Sequence, residues 1–156
     1  MRVTADTNIA VSGLLWHGPP RDVLEAARAG DLQLFTTAAL LAELQDVLAR
    51  PKFAERLKRA GVTPDELVVG YAALATVVQP ASIEPVIVED PDDDAVLACA
   101  VASQAEVIAS GDSHLLQLKE YGEIRILTAT QLLTELARIK RSEPGKKPEN
   151  TSEKTG

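Results

Sequence analysis

Asp6, Glu43, Asp93, Asp94 and Asp112 are the side chains from which this sequence could build chemistry. Acids gathered at one point repel each other and raise one another's pKa, so such a cluster is normally held ionised by hard divalent cations. Mg²⁺ or Mn²⁺ is the natural ion for an all-oxygen donor set. Other chemistries find less to work with. Cys99 is a lone cysteine inside the apolar run Val96-Leu97-Ala98-Cys99-Ala100, where a small buried side chain fits, so it reads as core rather than as a nucleophile. His17 and His114 lack metal-ligand spacing and receive no role, although His114 follows Asp112 closely enough to face the same cleft. Gly13 and Gly18 do not form a phosphate-cradling loop. A phosphatase with Asp6 as aspartyl nucleophile would want a second Asp two residues on, and Asn8 stands there.

The elements that must position these acids can be read from periodicity and punctuation. Val3 to Ala5 is a short strand, interrupted by the polar turn formers Asp6-Thr7-Asn8 before an apolar pattern resumes from Ile9 to Trp16. A helix follows Pro19-Pro20 and stops at Gly30; Leu32 to Thr36 is a second strand; Thr36 or Thr37 then caps a helix reaching about Leu48, with Glu43 in its first half. Phe53 to Ala60 is helical up to Gly61, and Thr63-Pro64-Asp65-Glu66 has the form of a capping box for a helix ending near Leu74. Thr76 to Val78 is a short strand. Pro80 to Val88 is a proline-punctuated connection running into Glu89-Asp90-Pro91-Asp92-Asp93-Asp94, the first turn of a helix that continues through Ala95 to Ala102. Val107 to Ala109 is a buried strand, Ser110-Gly111-Asp112-Ser113 a turn, and Arg125 to Leu127 a last strand before a helix capped by Thr128 with Gln131 three residues on.

Strands alternating with helices at these intervals predict βαβ units, a mainly parallel sheet covered on both faces, and so a three-layer α/β/α fold. Open parallel sheets bind ligands outside the carboxyl ends of their strands. Asp6 and Asp112 fall there, the first turn of the acidic helix brings Asp92, Asp93 and Asp94 to the same end, and Glu43 could supply a further acid. Taken singly, each acid is also an ordinary cap or turn residue. Their convergence at one edge is what favours chemistry.

Composition narrows the partners. A formal net charge of −7 argues against a broad electrostatic grip on phosphates, though an acidic metal site is compatible with it. Aromatic residues are only 3%, leaving little for repeated base stacking. Arg21, Arg50 and Lys52 either line a cleft rim or simply face solvent. No apolar run is long enough to span a membrane and the start lacks a secretory pattern, so a cytoplasmic protein is expected. One domain is expected over residues 1–139. From Lys140 the composition turns to Ser, Glu, Pro, Gly, Lys and Asn, and residues 140–156 are expected to be a flexible tail.

The sequence resembles the PIN domain family. The likeness lies in Asp6-Thr7-Asn8 after a strand, Glu43 on a helix, the acidic run before Val96-Leu97-Ala98-Cys99-Ala100, and Ser110-Gly111-Asp112 after a strand. It covers Arg2 to about Leu136. Two stretches, Asp6 to Leu15 and Asp90 to Asp94, are most similar to the branch of VapC-like toxins of toxin–antitoxin pairs. The resemblance implies a Mg²⁺- or Mn²⁺-dependent endoribonuclease acting on RNA, held silent by a cognate antitoxin and usually homodimeric. It implies metal ions held by Asp6, Asp94 and Asp112, with Glu43 bound directly or through water, and with Asn8 and Ser110 as polar supports. Such ions would position a phosphodiester, activate a water for in-line attack and stabilise the leaving oxygen. The rival reading is a non-catalytic PIN-like scaffold or RNA-contact module.

Of the acidic run, one residue aims into the cleft, because adjacent helical positions diverge by about 100°. Asp94 shares a stripe with Leu97, Ala98 and Val101, and Asp93 with Val96, Leu97 and Ala100, so apolar periodicity does not decide. Asp94 precedes Asp112 by eighteen residues, an interval similar to that between the third and fourth acids of VapC-like members, and this favours Asp94 over Asp93.

Overall fold

The computed structural model describes residues 1–84 and 91–142, the side chains of 91 and 92 excepted. The chain begins with strand β1 (Arg2–Ala5). Asp6 does not break the pattern with a turn, as expected; its carboxylate caps the helix α1 (Thr7–Leu15) that starts immediately after it. The physical reason is that an Asp side chain satisfies an orphan N–H of a helix's first turn as readily as it makes a turn. Next come α2 (Pro19–Arg28), β2 (Gln33–Thr36) and α3 (Ala38–Leu48), the last capped by Thr37. A single 3-10 turn at Pro51–Phe53 leads into α4 (Ala54–Ala60), which ends at the left-handed Gly61. The capping box forms, with Thr63 and Glu66 bonding reciprocally at the start of α5 (Pro64–Leu74). Strand β3 (Thr76–Val77) closes the first half.

Much of the expected connection from Pro80 to Val88, with Glu89 and Asp90, lies outside the described residues. Helix α6 (Pro91–Ala102) and strand β4 (Val107–Ala109) follow. Two elements then stand where none was expected: α7 (Ser113–Leu118), capped by Asp112, and β5 (Glu120–Tyr121). β5 forms a hairpin with β6 (Ile124–Leu127) around Gly122, whose φ of 61° is one that glycine adopts without strain. Helix α8 (Ala129–Ser142) runs beyond the expected boundary at residue 139, and Lys140 on it pairs with Asp31 at 3.3 Å. The remainder of the expected tail lies outside the described residues.

All strands join one sheet in the order β3-β2-β1-β4-β6-β5, parallel except for β5. The chain lays down β1, β2 and β3 in one direction, then returns to place β4 on the other side of β1. The gap between the carboxyl ends of β1 and β4 is therefore the topological switch point, where a parallel sheet leaves a crevice. Registry across it is tight, with Ala5 opposite Ala109.

Side chains alternate across the sheet with period two and separate two cores. Val3, Ala5, Val107 and Ala109 point to the side covered by α1, α2 and α8, where Ile9, Val23, Leu24 and Leu132 complete the packing. Ile108, Ile124 and Ile126 point to the other, against Val96, Leu97 and Cys99 of α6 and Leu115 of α7. Thr4, on that second face, meets Cys99 Sγ at 3.6 Å and Ser103 Oγ at 3.5 Å. Cys99 is fully buried as expected, and burial pushes its thiol pKa up. The result is a three-layer α/β/α fold with a mainly parallel central sheet.

Helices α1 and α2 approach so closely that only glycine fits between them. A Cβ on Gly13 would stand 2.7 Å from Leu24 Cδ1 and 2.9 Å from the carbonyl oxygen of Pro20. Alanine is favoured over glycine within a helix by about 1 kcal/mol, whereas overpacking costs about 1–3 kcal/mol. Because one of the two clashes is with backbone that cannot rotate away, the clash wins. Gly13→Ala is predicted to lower stability by about 1 kcal/mol, read as a lower midpoint in thermal denaturation.

Candidate metal centre

At the switch point, the residue after β1 bonds back to β4 and the residue after β4 bonds to β6. Asp6 N–H donates to the carbonyl of Ala109 at 3.0 Å, and Ser110 N–H to that of Leu127 at 2.9 Å, so the sheet ladder extends one step into the site. Ser110 is fully buried and bridges the two strand-end acids: its hydroxyl donates to Asp6 Oδ2 and accepts from the Asp112 N–H at 2.9 Å. The Asp6 Oδ1 atom accepts from Ile9 N–H at 2.9 Å. Asp112 Oδ1 accepts from the N–H groups of His114 at 2.8 Å and Leu115 at 3.2 Å. Both acids are thus helix caps, and the capping and chemical readings of them are compatible, because each carboxylate keeps further lone pairs.

Asp6, Thr7, Asn8, Glu43, Asp93, Val96 and Asp112 line one open cleft of about 330 Å³. Four carboxylates therefore meet there, from β1, α3, α6 and the end of β4. Glu43 is half-buried and accepts a hydrogen bond from Thr7 Oγ1 at 2.7 Å. Asn8 is exposed on the rim. Asp94 is not among the residues lining the cleft; Asp93 is, and only 6% of it is exposed. The two helical stripes differ in where they end. Val96, Leu97 and Ala100, on the stripe of Asp93, are all buried, whereas Val101, on the stripe of Asp94, is exposed. Separation along the chain favoured Asp94, yet the face of α6 that packs on the sheet carries Asp93 into the cleft.

Two contributors were not identified from the sequence. Thr7 was taken as a turn former, and its signal was its place between Asp6 and Asn8. His114 was given no role, but its Nδ1 lies 3.8 Å from Asp112 Oδ1 and 4.0 Å from Asp93 Oδ2. Ligand atoms of Asp93, Asp112 and His114 all fall within 4.8 Å of one another, close enough to share one ion. A donor set of carboxylates with one imidazole fits a divalent cation of the Mg²⁺ or Mn²⁺ type. Arg21, by contrast, leaves the cleft. Its guanidinium donates to the carbonyls of Gly13 at 2.8 Å and Leu14 at 3.0 Å, serving the orphan groups at the far end of α1.

An open α/β sheet with a carboxylate-lined crevice at its switch point is an arrangement that can hold a hard cation. The PIN domain family model matches residues 2–114, and the chain belongs to that family. PIN domains are generally nucleases that use divalent metals, which agrees with the acidic cluster. No curated protein and no solved structure matches the chain. Among the described residues, no helix is long and apolar enough to cross a membrane.

Electrostatics at Asp6 is unfavourable in the absence of a cation. Burial pushes its carboxyl above the ordinary carboxylate value and the charge of Asp112 adds to that, while hydrogen bonds from Ser110, Ile9 and Gly111 pull it back. A group whose folded pKa is raised contributes stability below its unfolded pKa, and that contribution is lost as pH rises through the folded value. Above the ordinary carboxylate value the raised pKa of Asp6 is therefore a cost to the metal-free fold. Asp6→Asn keeps a side-chain oxygen for the Ile9 N–H and removes the charge. The metal-free variant is predicted to melt above the unmodified protein at pH 7, with the gap shrinking as pH falls toward about 4. A gap of opposite sign in calorimetry at pH 7 would contradict this.

Proposed function

We propose that the protein is a divalent-metal-dependent endoribonuclease that hydrolyses RNA phosphodiesters, and that it is the toxin of a toxin–antitoxin pair. The observation that carries the reading is the meeting of Asp6, Glu43, Asp93 and Asp112 in one cleft at the switch point of a PIN domain. In this reading Asp6, Asp93 and Asp112 hold the ion, and Glu43 holds it directly or through water. When bound, Mg²⁺ or Mn²⁺ supplies Lewis-acid charge at the phosphodiester and makes water a nucleophile at neutral pH.

The chain's own residues fix the geometry. Ser110, donating to Asp6 and accepting from the backbone of Asp112, sets the spacing of the two strand-end acids. Thr7, by donating to Glu43, ties α3 to the start of α1. Asn8, exposed at the rim, is placed to orient the scissile phosphate, and His114 stands beside Asp93 and Asp112.

The toxin reading rests on the VapC-like stretches, and charge supports an antitoxin partner. A half-enclosed carboxylate cleft is a ready docking site for an arginine, whose planar fork matches carboxylate pairs. A homodimer is supported by the surface after Arg50. There a groove of about 580 Å³ runs between α3, α4 and α5 past Leu48, Leu57 and Val62, and Val69 on α5 is 68% exposed.

Three measurements test this reading. Purified protein should cleave RNA with Mg²⁺ or Mn²⁺ and stop on addition of EDTA; activity that survives chelation sinks the mechanism. Asp93→Asn should abolish that cleavage while Asp94→Asn leaves much of it, and the reverse result would restore Asp94 to the ligand set. Light scattering at micromolar concentration should report twice the chain mass, and a monomer would remove the dimer.

A further inference from the structure

The nuclease reading leaves one surface unused. Trp16, the only tryptophan in the chain, ends α1 and is 43% exposed. The exposed indole offers a flat apolar ring to solvent, and here it is held rather than loose. Its ring packs on the buried Phe53 at a centroid distance of 5.8 Å. Arg56 braces it, with the guanidinium 5.8 Å from the indole and Nε donating to the carbonyl of Leu15 at 2.9 Å. Lys52 lies 5.1 Å from the Phe53 ring.

Charge gathers at the same place. The chain carries −7 overall, yet five of its sixteen Lys and Arg residues fall between positions 50 and 59, with Glu55 the only acid among them. Arg56 and Arg59 stand three apart on α4, and Lys52 lies in the 3-10 turn that leads into it. Arg59 meets Glu55 at 3.7 Å, but both side chains are about three-quarters exposed, so the pair is weak and screened. Helix α1 connects this corner to the carboxylate cleft: Asp6 caps its start and Trp16 its end. Nine residues at 1.5 Å each separate them by only about 14 Å.

We propose that Trp16, held in place by Arg56 and with the basic residues Lys52 and Arg59 of the same segment, is a docking platform for the single-stranded RNA whose cleavage is assigned to the cleft. A base stacks on the indole while the flanking phosphates meet Lys52 and Arg59, which is how single strands bind without a sequence code. A duplex does not fit, because its bases are not free to stack. The inference rests on the nuclease reading for its substrate, but it is tested by binding alone.

Trp16 is its own reporter. In EDTA, the full chain carrying Asp6→Asn is titrated with a short unstructured RNA oligonucleotide while tryptophan fluorescence is followed. Saturable quenching that weakens with salt is expected, with little response to an RNA duplex. Trp16→Ala, read by anisotropy of labelled RNA, should weaken binding about tenfold. Trp16→Phe, which keeps the ring stacked on Phe53, should retain most of it and control for folding. Lys52→Ala should reduce the slope of log K against log salt by about 0.7. RNA binding that leaves the fluorescence unchanged, equal quenching by duplex, or undiminished binding by Trp16→Ala overturns the proposal. Quenching without cleavage by the unmodified protein would overturn the nuclease reading and leave the platform standing; cleavage without quenching would do the reverse.

Discussion

The burial of Asp6 among other carboxylates at the end of β1 is the constraint around which this structure is arranged. Asp6, Glu43, Asp93 and Asp112 line one cleft, and Asp6 is almost wholly buried. An unpaired buried charge is costly, so the surroundings must offset it. They do so with oriented N–H groups and one hydroxyl. Asp6 sits at the N-terminus of α1 and Asp112 at that of α7, where unsatisfied N–H groups and helix dipoles favour negative charge. Ser110 donates to one acid and accepts from the backbone of the other, so a single buried side chain fixes the distance between two groups that would otherwise move apart. Burial still holds the Asp6 carboxyl above its ordinary value, with a smaller contribution from the charge of Asp112, so the offset is incomplete. That remaining cost is what a cation would relieve.

The rest of the fold follows from holding this point still. β1 and β4 must be adjacent and in register, which requires the chain to leave β1 in one direction and return on its other side. Such a return is long. It passes through five helices, a 3-10 turn and two strands before α6, and its cost in chain entropy is met by the two cores on either face of the sheet. α1 then does two jobs. Its N-terminus carries Asp6 and its C-terminal carbonyls are taken by Arg21 and Arg56, so cations are drawn to the end of the helix away from the acids. An acidic protein thereby acquires a basic corner without placing it inside the carboxylate cleft, where it would compete with a cation.

Most of the layer architecture was legible because its signals are local. The capping box at Thr63, the stop at Gly61 and the buried strand at Val107 each rest on a few adjacent residues, and each appears where its chemistry put it. α7 and β5 were missed for an equally local reason. Both are short, six and two residues, and too short for periodicity to register. Gly122 was the available signal, since a glycine between a tyrosine and an isoleucine two positions on permits the tight reversal of a hairpin.

The acids that line the cleft were legible in the sequence and their supports were not. Asp6 and Asp112 could be located because strand ends are visible in sequence, and Glu43 stood in the first half of a helix as a further candidate. The choice within Asp93-Asp94 was not legible, because it depends on which face of α6 the sheet receives, and that is fixed by contacts with β4 and with β1, the latter remote in sequence. The same remoteness hid Thr7. Its hydroxyl matters only through Glu43, thirty-six positions away, and nothing in the neighbourhood of either residue announces the other. Acids that hold an ion are recognisable by type, whereas a hydroxyl that holds an acid looks like any other turn residue until the chain is folded. The supports therefore carry information that the acids lack: Thr7 holds Glu43 and Ser110 holds Asp6, and together with the N–H groups at the starts of α1 and α7 they fix where the carboxylates of the cleft stand.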